Sequence, residues 1–105
     1  MTRKEALADL IAKVEAGTLA PVDLTVLEPQ EHAWTWLAYE KASLEAAQAL
    51  HEAVLPKHFA KIKMWPIPPM ARADIGGGHA GRADNPARAW LLAILRALHA
   101  MEADT

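Results

Sequence analysis

The sequence NPARAWLLAILRALHAM, residues 85–101, decides the fold. Asn85 is a preferred helix N-cap, because its side-chain oxygen can accept a hydrogen bond from an unpaired N–H of the first turn. Pro86 follows at the first helical position, where its missing N–H costs nothing. Apolar residues at helical spacing form one broad face, made of Trp90, Leu91, Ile94, Leu95, Leu98 and Met101. The polar edge is narrow and consists of Arg88, Arg96 and His99. The pattern predicts a helix that other elements cover, in the middle of the fold.

The totals indicate one domain, residues 1–105, with a net charge of −2. No apolar run reaches the about 20 residues needed to span a bilayer, and the charged N-terminus lacks the apolar segment of a signal peptide. The chain has no cysteine, which excludes disulfides, a thiolate nucleophile and a sulfur-ligated metal. We therefore expect a cytoplasmic protein that does not enter a membrane.

The charge is divided unevenly along the chain. Residues 1–55 carry four Lys or Arg and nine Asp or Glu, whereas residues 56–105 carry seven and four. A half of one sign can attract an anionic partner, but the two halves can equally pair with each other across the fold.

Two helices are clearly predicted before residue 56, and the segments between them are less well defined. Thr2 and Glu5 form a capping box for a helix that ends at Gly17. Within residues 18–30, apolar Val22, Leu24 and Val26 alternate with polar residues. This pattern suits a short strand with Asp23 and Thr25 facing water, and it equally suits a packed loop. Residues 43–54 form a helix that Ser43 can cap.

Residues 29–42 contain three aromatic side chains and fit two structures. Alternation suits a strand, while the absence of Gly and Pro from residue 30 to 55 suits one long helix, which is slightly favoured. In a helix, Trp34, Leu37 and Leu44 would share the inner face. Either way an aromatic interface is predicted for protein partners, made of Trp34, Trp36 and Tyr39.

The C-terminal half predicts a small sheet. Residues 59–67 alternate between apolar side chains and a second face with Lys61, Lys63 and Trp65, and Pro66, Pro68 and Pro69 end the strand. Residues 70–75 alternate again and suit an antiparallel partner strand. Residues 76–84, GGGHAGRAD, are interpreted as a flexible loop, whose order the sequence leaves open. The expected fold is α+β, with an antiparallel sheet of two or three strands covered by three or four helices.

Candidate binding residues for an anion or nucleotide lie on these two strands and in the loop. They are Lys61, Lys63, Trp65, Arg72, His79 and Arg82. A basic strand with an aromatic residue can stack a base and hold phosphates, and a glycine-rich loop before a helix can hold a phosphate through backbone N–H groups. The alternative is an edge strand whose lysines prevent aggregation. Binding of nucleic acid is not expected, because such proteins are usually more basic.

No catalytic or metal-binding arrangement can be identified. The only serine, Ser43, suits a helix cap, and no histidine pair has the helical spacing of a zinc site. We therefore expect no enzyme activity, no metal and no cofactor.

Three segments together resemble the phage ABA-sandwich family of small phage and prophage proteins. They are YEKASLEAAQAL at 39–50, VLPKHFAKIKMW at 54–65 and NPARAWLLAILRAL at 85–98, together 38 of the 105 residues. The matching positions are Tyr39, Ser43, Pro56, Asn85 and Pro86. The resemblance implies a layered α/β/α sandwich and a phage setting, and it carries over no catalytic residue.

Small phage proteins without catalytic groups usually act by binding. The expected function is counter-defence in the host cytoplasm, by sequestering a nucleotide signal or blocking a host protein complex. The alternative is a protein–protein interaction module in phage assembly or regulation. A homo-oligomer is also expected, because 52% hydrophobic composition leaves more apolar surface than so short a chain can hide.

Overall fold

The computed structural model describes residues 2–66, 70–76 and 78–102. The described residues form four α-helices, one 3-10 helix and three strands. The helices are α1 (Arg3–Ala16), the 3-10 helix Pro21–Val26, α2 (Pro29–Glu40), α3 (Leu44–Val54) and α4 (Pro86–Met101). The strands lie between α3 and α4 and are β1 (Ala60–Trp65), β2 (Met70–Ile75) and β3 (His79–Ala83). The α+β fold predicted from the sequence is confirmed.

Helix α4 occupies the centre of the fold, as its apolar circumference predicts. The Asn85 side chain accepts a hydrogen bond from the Arg88 backbone N–H at 2.8 Å and begins the helix. Half of its residues are buried, and it contacts all three strands and the other three α-helices. Helix α4 contributes more residues to the hydrophobic core than any other element of the described chain.

The sheet is antiparallel, with strand order β1–β2–β3. Alternate residues of β2 are buried, namely Ala71, Ala73 and Ile75, and this face of the sheet packs against α4. Among the described residues, α1, α2 and α3 pack on the other side of α4 rather than on the sheet. The layers are therefore sheet, α4, then the remaining helices, whereas the family resemblance implies helices on both faces of the sheet.

Residues 79–83 form a strand, so the prediction of a loop over residues 76–84 is wrong for this part. Strand β3 pairs with β2 through Ala73 opposite Gly81 and Arg72 opposite Arg82. Gly81 is buried so closely against α4 that a Cβ atom there would lie 2.7 Å from the Ala93 backbone nitrogen. Glycine weakens a strand locally, and here it permits the close approach of β3 to the helix. The Pro68–Pro69 part of the predicted turn lies outside the described residues.

The predicted strand or loop after α1 is a 3-10 helix instead. Asp23 does not face water freely, because its carboxylate accepts hydrogen bonds from the Ala20 N–H at 2.9 Å and from Lys13 Nζ at 2.6 Å. These contacts lower the pKa of Asp23, the Lys13 ammonium being the largest cause, and raise the pKa of Lys13. The Asp23 carboxylate thus ties this segment to α1.

The undecided segment 29–42 is helical, as α2. One long helix to residue 55 is not formed, because Ala42 has a positive φ of 51° and Ser43 caps a new helix by accepting from the Ala46 N–H at 3.1 Å. Because the helix breaks at Ala42, the buried face of α2 differs from the predicted one. Leu37 and Leu44 are 42% and 44% exposed, and the buried residues are Thr35, Ala38 and Tyr39.

Candidate ligand-binding face

The strand register brings five of the six candidate anion-binding residues onto one face of the sheet. Lys63 pairs with Arg72, and Arg72 pairs with Arg82 on the third strand. Directly opposite residues of antiparallel strands share a face, and Arg72 alternates with the residues buried against α4. The face away from α4, here named the cationic face, carries Lys61, Lys63, Trp65, Met70, Arg72, Asp74 and Arg82.

His79 is the candidate that lies elsewhere. It pairs with Ile75, which is 2% exposed on the side of α4. His79 is therefore on the opposite face of the sheet from the cations. Gly76 and Gly78 are turn residues between β2 and β3. The predicted phosphate-binding loop and the basic strand therefore do not form one site through His79.

Arg72 is held in place by Asp74, a residue that the sequence analysis did not assign to the site. The guanidinium Nε lies 3.1 and 3.0 Å from the two carboxylate oxygens, and Nη2 donates to Oδ1 at 2.9 Å. Arg72 lowers the pKa of Asp74, with smaller contributions from Lys63 and Lys61, and Asp74 raises the pKa of Arg72. The sequence did offer a signal for this pair, because residues two apart on a strand, here Arg72 and Asp74, lie on the same face.

The cationic face keeps a positive charge after this pairing. Its four cations and one carboxylate leave a net charge of +3. Like charges directly opposite each other destabilise a sheet, and Lys63, Arg72 and Arg82 form two such adjacent pairs. Lysines on β1 fit protection of an edge strand. Arg72 lies on the central strand, however, where no edge needs protection.

The three aromatic residues predicted as a protein interface do not form a single patch. Tyr39 is 5% exposed, and the Arg88 guanidinium lies 4.4 Å from the centroid of its ring. Trp36 packs beside Tyr39, with 5.8 Å between ring centroids, and lines an open groove with Leu27. Trp34 lines separate depressions on α2 and α3. Only Trp34 and Trp36 present part of their surface to solvent.

His51 is a buried polar residue with a structural role that the sequence did not reveal. Its Nδ1 accepts a hydrogen bond from Trp90 Nε1 at 3.1 Å, and its Nε2 lies 2.6 Å from the His58 carbonyl oxygen. Because Nδ1 is the acceptor, Nε2 carries the proton and donates to that carbonyl. Both ring nitrogens are thus occupied in joining α3, α4 and the segment before β1.

Neither a cluster of metal ligands nor a membrane-spanning helix occurs in the part of the chain that the structure describes. No group of three or more His, Asp or Glu side chains there could hold a metal ion. None of the helices in residues 2–66, 70–76 and 78–102 is long and apolar enough to cross a membrane.

No family model, curated protein or solved structure matches this chain. The resemblance to phage ABA-sandwich proteins remains a prediction from the sequence. The case for function consequently depends on the chemistry of the cationic face.

Proposed function

We propose that this protein acts by binding a small anionic molecule of the nucleotide class on the cationic face. In the setting implied by the sequence resemblance, it is a phage or prophage accessory protein that counters host defence by sequestering such a signal. The proposal involves no chemical step and needs no cofactor.

The observation that carries the proposal is the row of three cations across three strands. Lys63, Arg72 and Arg82 are brought side by side by the strand register, although nearly twenty residues of sequence separate the first from the last. Their mutual repulsion destabilises the sheet. An anionic ligand would relieve it, and the helices leave this face of the sheet uncovered in the described residues.

Native mass spectrometry of the protein, purified gently from a bacterial host, tests the proposal. We expect a mass excess of nucleotide size on the wild-type chain. The double variant Lys63→Ala/Arg82→Ala should lose this excess, because two of the three cations of the row are removed. Arg72 is left unchanged, so that Asp74 keeps its partner.

The matched control is Lys41→Ala/Lys57→Ala, which removes the same charge from exposed positions outside the sheet. It should retain the bound mass. The control should melt within a few degrees of the wild type, since it removes no buried group. The Lys63→Ala/Arg82→Ala variant should melt at the same temperature or higher, because it relieves the repulsion within the row. A ligand that is absent from the wild type, or that both variants lose equally, would contradict binding at this face.

A protein–protein interaction in phage assembly or regulation, or in blocking a host complex, is the second candidate. The observation that favours it is the open apolar groove beside Trp36, lined also by Pro21, Leu27 and Pro29. This function predicts that Trp36→Ala abolishes activity in a phage fitness assay while Lys63→Ala does not. The cationic face predicts the reverse.

A further inference from the structure

The cationic face is divided into successive rows along the strands. One end carries Trp65 opposite Met70, which are 44% and 40% exposed; we name this pair the aromatic end. The next row on the same face is Lys63, Arg72 and Arg82, named the cation row. An apolar surface for a ring is therefore followed directly by positive charge.

The cation row is longer than one phosphate group. Neighbouring strands lie about 4.8 Å apart, so the row extends about 10 Å from β1 to β3. Its central guanidinium cannot swing freely towards either end, because Asp74 holds it through both Nε and Nη2. Lys63 and Arg82 extend from the two strands that flank β2, which carries Arg72. A chain of two or three linked phosphates therefore matches the length of the row better than a single phosphate does.

The aromatic end lies at the right distance from this row for a nucleoside. Two residues along a strand correspond to about 6.6–6.8 Å, which separates Trp65 from Lys63 on the same face. A ribose between a base and its first phosphate fills a gap of this kind. An exposed indole stacks any of the bases, since every base has a π-face.

We infer that the ligand is a nucleoside carrying two or more linked phosphates. Its base stacks on Trp65, and its phosphates lie along the row from Lys63 towards Arg82. This inference depends on the proposed function and specifies the class of ligand at the same face. Asp74 acts as a positioning residue that fixes the direction of the Arg72 guanidinium.

Isothermal titration calorimetry on the full chain tests the inference with defined probes, namely adenosine tri-, di- and monophosphate and inorganic tripolyphosphate. We expect the di- and triphosphate to bind at least tenfold more tightly than the monophosphate. Trp65→Ala should weaken adenosine triphosphate binding about fivefold to 150-fold, the range that corresponds to base stacking of about 1–3 kcal/mol. The same variant should bind tripolyphosphate as the wild type does. Trp36→Ala, which alters an indole away from the sheet, is the control.

The possible failures are distinguishable. If tripolyphosphate binds as tightly as adenosine triphosphate and Trp65→Ala changes neither, the nucleoside inference is wrong, while anion binding at this face survives. Tighter binding of a single-stranded oligonucleotide than of adenosine triphosphate would also overturn the inference. If the wild type binds none of the probes, the inference is overturned, and the mass-spectrometric experiment decides separately whether the face holds another anion.

Discussion

Replacement of Gly81 by alanine tests how closely β3 packs against α4. A Cβ atom at this position would lie 2.7 Å from the Ala93 backbone nitrogen and 2.7 Å from the Leu92 Cβ, and it would also collide with the Ala89 carbonyl oxygen. Two of these three atoms belong to the backbone of α4, so no rotamer change removes the clash. Helix α4 cannot retreat either, because it is packed on its other side against α1, α2 and α3.

The magnitude follows from this geometry. Overpacking in a well-packed core costs typically 1–3 kcal/mol and occasionally more, and we expect the upper end, about 3 kcal/mol, for Gly81→Ala. For a domain of this size, that loss lowers the melting temperature by roughly 12–24 °C. Urea denaturation followed by circular dichroism gives the free energy of unfolding, and a thermal scan gives the melting temperature.

Gly76→Ala is the matched control, because it makes the same change on the same hairpin. The nearest atom to a Cβ at Gly76 is the Phe59 carbonyl oxygen at 4.0 Å, and its φ is not in the left-handed region. Alanine there should leave stability unchanged or raise it by about 0.4–1 kcal/mol through the unfolded state. A Gly81→Ala variant that loses less than about 1 kcal/mol would refute the close packing of β3 on α4.

Three further measurements address individual hydrogen bonds. Trp90→Phe removes the donor to His51 and leaves a buried acceptor unsatisfied, so urea denaturation should show a loss of about 1–3 kcal/mol; a loss below about 0.5 kcal/mol would contradict the bond. Asn85→Ala removes the N-cap of α4 and should cost about 1 kcal/mol in the same assay, and an unchanged midpoint would show that the cap contributes nothing. The pKa of Asp23 in the folded protein is lowered from its ordinary value of 3.8. The stability that the Asp23 carboxylate contributes is therefore fully present above pH 3.8, and it is lost as the pH falls through the lowered pKa of the folded protein. Carbon-detected NMR titration should place this pKa below 3.8, and a value at or above 3.8 would disprove the pairing. The pKa of Lys13 is raised from 10.5, so its contribution is present below that pH and is lost as the pH rises through the folded value.

Much of the secondary structure could be predicted from the sequence because its signals are local. The caps at Thr2, Ser43 and Asn85 each accept from a backbone N–H three residues further along the chain. Gly17 adopts a φ of 72° to end α1. The alternation of β1 and β2 likewise needs only adjacent residues. The face of α2 was harder to predict, because it depends on where the helix ends, and the sequence left open whether the helix continues past Ala42.

The candidate site could be predicted only as a set of residues. Five of them share a face because of the pairing between three strands, and the sixth, His79, is excluded by the register that places it opposite Ile75. Because the sequence analysis interpreted residues 76–84 as a loop, the pairing of β3 with β2 could not be predicted. Asp74 was missed because its importance arises from the hydrogen bonds to Arg72.

The sequence by itself determined the α+β class, the N-caps of α1, α3 and α4, the two alternating strands and the central helix. Each of these depends on hydrogen bonds or periodicity within a few neighbouring residues. Only the tertiary structure decided that β3 exists, that Tyr39 is buried beneath Arg88, and that Lys63, Arg72 and Arg82 form one row. These features depend on residues distant in sequence, where packing against α4 overrides the local preference of glycine and charged side chains.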